Sequence, residues 1–145
     1  MSEQNAKPLS GQEAIKASSG FLKGNIAAEL ADGKPDITDA SYELLKFHGT
    51  YFGYDRDSAT ERKKAGLDKK YEFMVRTRIP GGRLTADQYI AMDDIAEKYA
   101  NGTLRITTRQ VFQFHVVLKE NLKAQIRGYR QAKRNALDGV SLIQV

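Results

Sequence analysis

The chain has 145 residues, 41% of them hydrophobic and 28% charged, which fits one globular domain and excludes a disordered chain. It has no cysteine, which excludes disulfides, thiolate metal sites and a cysteine-ligated iron–sulfur cluster within this chain, and its net charge of +5 indicates an anionic partner. The absence of a membrane-length apolar run and of a signal-peptide pattern predicts a cytoplasmic protein that binds no membrane.

The first part of the chain, residues 1–68, has a weak secondary-structure signal. Glycine and proline separate two short helical candidates around 12–16 and 21–30, a pattern that predicts an arm laid on a partner surface. The aromatic-rich segment 42–57 has no clear period, so we assign it to neither helix nor strand. Residues 56–70 mix both signs of charge and indicate a solvated segment.

A strand with arginines on one face is predicted next. Residues 70–79 alternate between apolar and polar side chains, and the less apolar face carries Arg76 and Arg78. The sequence Pro-Gly-Gly at 80–82 predicts a turn, because both glycines can adopt positive φ.

A helix follows this turn. Thr85 and Gln88 match the capping-box pattern that begins a helix. Apolar side chains then recur at helical spacing as far as Asn101 and Gly102, which predict its end.

Residues 103–117 are rich in β-branched and aromatic side chains and predict two strands, joined or bulged near Arg109 and Gln110. On the second strand we expect Phe112, Phe114 and Val116 to share the apolar face. The polar side chains fall on the opposite faces: Arg105, Thr107, Arg109, Gln113 and His115.

A second helix is predicted from about residue 121, and 139–145 could supply a final short strand. The order strand, helix, strand, strand, helix predicts an α+β protein with a ferredoxin-like split βαβ half-domain. We place this half-domain at residues 69–145, after an irregular N-terminal arm and aromatic-rich segment at 1–68.

The arginine-bearing face has two interpretations. Helices of a split βαβ domain cover one sheet face, so the other face meets solvent, a partner or a ligand. Solvated arginines on an exposed sheet would explain the pattern as well as an anion site does. An anion site is supported by the use of arginine at Arg76, Arg78, Arg105 and Arg109, since its planar fork binds oxyanions bidentately.

Few other side chains are candidates for a functional site. His48 and His115 are the only histidines, and a hydrogen-bonded structural role is favoured over a catalytic one for each. They lack helical metal-ligand spacing, so we predict no protein-held metal. Tyr42, Tyr51 and Tyr54 are interpreted as packing residues.

Several ordered motifs resemble one protein family. The segments LKFHGTYFGYDRD (45–57), FMVRTRIPGGRLTADQY (73–89) and NGTLRITTRQVFQFHVVLKENLK (101–123) are similar to the N-terminal part of the siroheme-containing sulfite and nitrite reductases, and most of all to the sulfite-reducing members. The segment GFLKGNIAAELADG (20–33) resembles the N-terminal arm of that family. The resemblance covers residues 18–137.

This resemblance implies roles for individual residues. Arg76 would bind sulfite and stabilise charge on its oxygens during a six-electron reduction to sulfide. His48 and Arg56 would lie at the edge of the surface, and Arg78 is a further candidate. The siroheme carboxylates would be held by Arg105, Thr107, Thr108 and Arg109, with Gln113 and His115 nearby.

The resemblance also implies components that this chain lacks. The family's electrons reach siroheme through a 4Fe–4S cluster held by cysteines, and the chain has none. The remainder of the reductase, or a separate cluster-bearing subunit, would hold the cluster, and a flavoprotein or ferredoxin would donate electrons. We therefore expect the chain alone to be inactive, as the first part of a longer oxidoreductase cut or diverged near residue 137.

Three alternatives stay open from the sequence. Nitrite reduction is the first, since both activities share these motifs. The second is a non-catalytic module that carries an anion or a tetrapyrrole. RNA binding ranks last, because VFQFHVV (111–117) lacks the basic-glycine-aromatic-glycine opening of an RNA-recognition domain, and we expect no nucleic-acid partner.

Overall fold

A computed structural model describes residues 10–134 of the chain, with side chains to residue 132. The six α-helices in this range are α1 Gly11–Ser18, α2 Ile26–Glu29, α3 Asp39–Phe47, α4 Arg56–Lys64, α5 Ala86–Tyr99 and α6 Lys119–Arg134. The four strands are β1 Thr50–Tyr54, β2 Tyr71–Arg76, β3 Arg105–Ile106 and β4 Phe112–Val117, with a 3₁₀ turn at Pro80–Gly82. None of these helices combines the length and the apolar content that a bilayer crossing needs.

The four strands form one antiparallel sheet in the order β1-β2-β4-β3. In a βαββαβ unit the last strand pairs with the first and completes the edge of the sheet. Here β1, which precedes the unit in sequence, pairs with β2 and takes that edge position. The sheet therefore crosses the predicted boundary at residue 69. The predicted closing strand at 139–145 lies outside the described residues.

The predicted start and stop signals of α5 are both present in the structure. Thr85 accepts a hydrogen bond from the Gln88 backbone and Gln88 bonds back to the Thr85 backbone, so the predicted capping box begins α5. The helix ends at Tyr99, and Gly102 adopts φ +73° just beyond it, as the Asn-Gly signal predicts. Helix α6 begins two residues earlier than predicted, at Lys119.

The hydrophobic core lies between one face of the sheet and helices α5 and α6. The strands contribute Phe73, Val75, Phe114 and Val117, none of them more than 2% exposed. The helices contribute their apolar stripes, which are Met92, Ile95 and Ala96 from α5 and Leu122, Tyr129 and Ala132 from α6. Their burial leaves the opposite sheet face without a helix from this unit.

The N-terminal segment differs from the prediction of an arm laid on a partner. Ile26 is buried in the same core, and the Lys119 side chain, 6% exposed, donates to Asp32 Oδ1 at 2.8 Å and to the Asp36 carbonyl at 2.6 Å. A buried ammonium needs such partners, so these contacts hold the segment to the start of α6.

The segment that the sequence left unassigned, residues 42–57, contains the end of α3, all of β1 and the start of α4. Its period is hidden because each element is short and Gly49 and Gly53 interrupt the pattern. Helix α4 falls in the predicted solvated segment and buries no side chain, and Asp55 caps it by accepting bonds from the Asp57 and Ser58 backbone.

Strand β4 contains a β-bulge that the alternation rule did not anticipate. Phe73 pairs with Val117 and Val75 with Phe114, so β4 has one extra residue between the two pairs. Val116 adopts φ +59° there, and Val117 is fully buried, whereas Val116 is only half-buried. The prediction that Val116 shares the core face with Phe112 and Phe114 is therefore wrong, because the extra residue shifts the alternation.

Candidate functional site

A row of three polar residues crosses the open face of the sheet. Arg76 of β2 pairs with Gln113 of β4, and Gln113 pairs on its other side with Arg105 of β3. Paired residues on adjacent antiparallel strands point to the same face. Their neighbours Val75 and Phe114 are buried in the core, so the row itself lies on the opposite face. The structure thus brings together two predicted arginines and the predicted glutamine.

Arg76 is held at the end of β2 by Tyr51 and Gly49. Its Nη1 donates to Tyr51 Oη at 3.2 Å, and its guanidinium carbon lies 5.0 Å from the centre of the Tyr51 ring, within cation–π range. Its backbone N–H donates to the Gly49 carbonyl at 2.8 Å. The Arg76 Nε is buried and has no hydrogen-bond partner. A buried donor without a partner is costly, and an anion beside it would remove that cost.

Thr107, Thr108 and Arg109 lie in the hairpin turn between β3 and β4. The Gln110 N–H donates to the Thr107 carbonyl at 2.9 Å, the Arg109 N–H donates to Thr107 Oγ1 at 3.2 Å, and Gln110 takes φ +57°. The predicted joint between two strands near Arg109 is confirmed. The prediction that Thr107 and Arg109 share a strand face with Arg105 is wrong, because β3 ends at Ile106 and the chain turns. Thr108 and Arg109 are exposed on this turn.

His115 lies near Arg105 on the open face, next to the bulge in β4. Burial lowers the pKa of His115 from its ordinary value, and the positive charge of Arg105 lowers it further. The imidazole is therefore neutral at neutral pH. Its Nε2 is buried without a hydrogen-bond partner.

Arg56 and His115 border the same shallow pocket of about 370 Å³, together with Gly53, Glu72 and Met74. Arg56 is the first residue of α4 and is exposed. Burial raises the pKa of Glu72, and the nearby Asp55 carboxylate raises it further. The structure therefore brings Arg56 to the same pocket as His115.

Arg78 and His48 lie outside the row. Arg78 follows the end of β2, and both of its backbone polar groups are bonded to the hydroxyl of Tyr129. His48 caps the end of α3, and its Nε2 lies 3.0 Å from the Leu22 carbonyl. This contact gives His48 a structural role between α3 and the N-terminal segment.

Sequence reasoning missed Tyr51 and Tyr129 as residues of the site. Tyr51 was interpreted as a packing residue, although it pairs with Met74 on the open face and contacts Arg76. Tyr129 lies in the second predicted helix and was given no role in the site. Neither role has a local signal, because the contacts join positions 25 and 51 residues apart in the chain.

The arginines of the row and of the turn form no salt bridge within the described part of the chain. Among the described residues, no carboxylate forms a salt bridge with Arg76, Arg105 or Arg109. Two of the nearby polar atoms, Arg76 Nε and His115 Nε2, are buried without partners. Such a set of donors fits an anionic group with several oxygens better than a neutral or cationic ligand.

Comparison with known proteins gives a match to one family model. Residues 66–130 match the model described as the nitrite/sulfite reductase ferredoxin-like half domain. The chain is also similar to curated proteins that carry sulfite reductase names. The Staphylococcus epidermidis sulfite reductase (NADPH) hemoprotein beta-component is 48% identical over 133 residues, which cover 91% of this chain and 23% of that protein.

Two further relatives match the chain at a similar sequence identity. The Geobacillus thermodenitrificans sulfite reductase (NADPH) hemoprotein beta-component is 47% identical over 131 residues, covering 90% of this chain and 23% of its own length. The Schizosaccharomyces pombe sulfite reductase (NADPH) subunit beta is 50% identical over 122 residues, covering 83% of this chain and 8% of its own length. The chain therefore spans about a quarter or less of these relatives.

A solved structure shares the fold. The Mycobacterium tuberculosis NirA protein aligns with a TM-score of 0.64 at 24% sequence identity, over 87% of this chain and 24% of that chain. The ferredoxin-like α+β architecture predicted from the sequence is confirmed.

Proposed function

We propose that this chain is the N-terminal part of a sulfite reductase haemoprotein and that its open sheet face holds siroheme and sulfite. The observation that carries the proposal is the row Arg76–Gln113–Arg105, whose two arginines have no carboxylate partner in the described part of the chain. Sulfite is favoured over nitrite as the substrate because the relatives named above are sulfite reductases.

The donor set fits a tetrapyrrole with many carboxylates. Arg105 and Arg109 would each bind a carboxylate of siroheme with two N–H groups, and the hydroxyls of Thr107 and Thr108 would donate to the same oxygens. Gln113 lies in the row beside Arg76, and His115 lies two residues further along β4. Both side chains would donate to siroheme oxygens that reach the middle of the row. When bound, siroheme supplies the iron at which a sulfur oxyanion can be reduced.

Arg76 is our candidate substrate residue. Its guanidinium is oriented by Tyr51, and its Nε is a buried donor that would bind a sulfite oxygen. A fixed positive charge beside these oxygens would stabilise the negative charge that they gain as they leave sulfur. Arg56 and Arg78 would add to the positive potential at the edge of the face.

The rest of the reductase completes this proposal. The chain has no cysteine, so the ligands of a 4Fe–4S cluster would come from the remaining part of the polypeptide or from another subunit, and a flavoprotein or ferredoxin would supply electrons in the cytoplasm. We predict no sulfite or nitrite turnover by this chain alone with siroheme and reduced methyl viologen. Turnover above that of free siroheme would contradict this division of roles.

A titration of the ¹⁵N-labelled chain with sulfite tests the proposal at the residue level, because NMR detects weak binding. We expect concentration-dependent shifts at Arg76, Gln113 and Arg105. The exposed Arg127 of α6, on the helical side of the sheet, serves as the internal reference and should not shift. Absence of shifts along the row, or equal shifts in Arg76→Ala, would contradict an anion site.

A further inference from the structure

The hydroxyl of Tyr129 bonds both backbone polar groups of Arg78. Tyr129 lies on α6 with its ring in the core, 2% exposed. Its Oη donates to the Arg78 carbonyl at 2.8 Å and accepts from the Arg78 N–H at 3.1 Å. The paired residues of β2 and β4 end at Arg76, and the Tyr129 hydroxyl bonds the backbone of Arg78 two residues further on.

Thr77, the residue before Arg78, forms the same kind of contact with β4. Its buried Oγ1 donates to the Phe112 carbonyl at 3.0 Å and accepts from the Phe112 N–H at 2.9 Å. Phe112 directly precedes Gln113 and pairs with Ile106, the neighbour of Arg105. The Thr77 N–H also donates to the Phe112 carbonyl at 2.9 Å. Two buried hydroxyls therefore help to fix the backbone just beyond the last paired residue of β2.

We propose that Tyr129 is a positioning residue of the candidate site, whose hydroxyl fixes the backbone of Arg78 and thereby the direction in which the end of β2 presents Arg76 and Arg78 to an anion. This inference deepens the proposed function and rests on it. Phenylalanine would fill nearly the same volume as the Tyr129 ring, so the hydroxyl contributes hydrogen bonds rather than packing.

The chemistry of the phenol suits this role. Burial raises the pKa of Tyr129 to about 12, so the hydroxyl remains protonated at every pH at which the protein would work. It therefore always has a proton to donate to the Arg78 carbonyl, and no charge change competes with an anion on the open face.

The first test uses Tyr129→Phe without any ligand. Tyr89→Phe is the matched control, because the Tyr89 ring packs edge-on against Phe112 from an exposed position on α5. We expect hydrogen exchange of the Arg78 amide to become at least about tenfold faster in Tyr129→Phe, with a smaller change at Phe73 and Phe114, whose amides report opening of the core. Unchanged exchange at Arg78 would overturn the inference.

The second test asks whether Tyr129 acts through Arg78. Sulfite is titrated into the wild-type chain, Tyr129→Phe, Arg78→Ala and the double variant. We expect Tyr129→Phe to weaken binding severalfold in the wild-type background and to have a smaller effect once Arg78 is alanine, because only its effect through Arg76 then remains. An equal loss in both backgrounds would assign Tyr129 a general structural role and overturn the inference.

The outcomes separate this inference from the proposed function. If sulfite shifts no residue of the arginine row in the wild-type chain, both proposals fail. If it does, and Tyr129→Phe binds as the wild type does, only the positioning role fails. Should Tyr129→Phe not fold, the wild-type chain decides: a slowly exchanging Tyr129 hydroxyl proton with a nuclear Overhauser contact to the Arg78 amide, both shifted by sulfite, supports the role, and their insensitivity to sulfite contradicts it.

Discussion

The two faces of the sheet are built from the same strands and differ in almost every physical property. On the helical side, Phe73, Val75, Phe114 and Val117 are fully or almost fully buried. On the open side, Arg76, Gln113 and His115 alternate with those residues along the same backbone, and Arg76 Nε and His115 Nε2 are buried without partners. The core face therefore accounts for stability, whereas the open face has polar atoms that a ligand would satisfy.

The largest loss of stability is expected from a substitution on the core face. Phe114→Ala removes a ring that is 0% exposed, and we predict a loss of about 3–5 kcal/mol in the free energy of unfolding, measured by urea denaturation. The control is Arg105→Ala, on the exposed strand β3, which should change stability by less than about 0.5 kcal/mol. Similar losses in both variants would contradict the division between the two faces.

A smaller loss of stability is expected from a substitution at Gly49, which lies beside the end of β2. Gly49 has φ +76°, and a Cβ there would lie 3.2 Å from the Arg76 carbonyl oxygen. We predict that Gly49→Ala lowers the free energy of unfolding by about 1–2 kcal/mol, because side chains disfavour the left-handed conformation.

Gly53→Ala is the matched control for this change. Gly53 lies on the same strand, has no positive φ, and a Cβ there would meet nothing within 4 Å. It should be neutral or slightly stabilising, since alanine restricts the unfolded chain. Equal destabilisation by both alanines would show that backbone conformation at Gly49 is not the cause.

The smallest effect is expected from protonation of His115. Its pKa is lowered in the folded chain, so between that pKa and about 6.5 the unfolded chain binds more protons and stability falls as the pH falls. We predict that the wild type loses more stability than His115→Gln between about pH 7.5 and about pH 5. An NMR titration midpoint of His115 above the ordinary value would contradict the stated cause.

Much of the half-domain could be predicted because its signals are local. The alternation in β2, the capping box at Thr85 and Gln88 and the turn near Arg109 each depend on a few neighbouring residues. The residues before 69 gave weaker signals, because α2 and β1 are short and are stabilised by long-range contacts such as those of Ile26 with the core.

The residues of the site also fall into those with a local sequence signal and those without one. Arg76, Arg105 and Gln113 were placed on one face by period two alone, and the register confirms that they are neighbours. The bulge at Val116 and the early end of β3 at Ile106, which takes Arg109 off the strand face, could not be predicted, because each depends on which residues pair across strands. Tyr129 was found only in the structure, since its partner Arg78 lies 51 residues away.

The most direct test of the account is a siroheme titration followed by absorbance, with the wild-type chain, Arg105→Ala, Arg109→Ala and the control Arg127→Ala. Arg127 carries the same charge on the exposed side of α6, so its removal controls for net charge. We predict a roughly ten- to hundredfold loss of affinity for Arg105→Ala and for Arg109→Ala, as expected for a charge-assisted contact of about 1.5–3 kcal/mol, and wild-type affinity for Arg127→Ala. Equal affinities for all four proteins would show that the open face carries only solvated arginines.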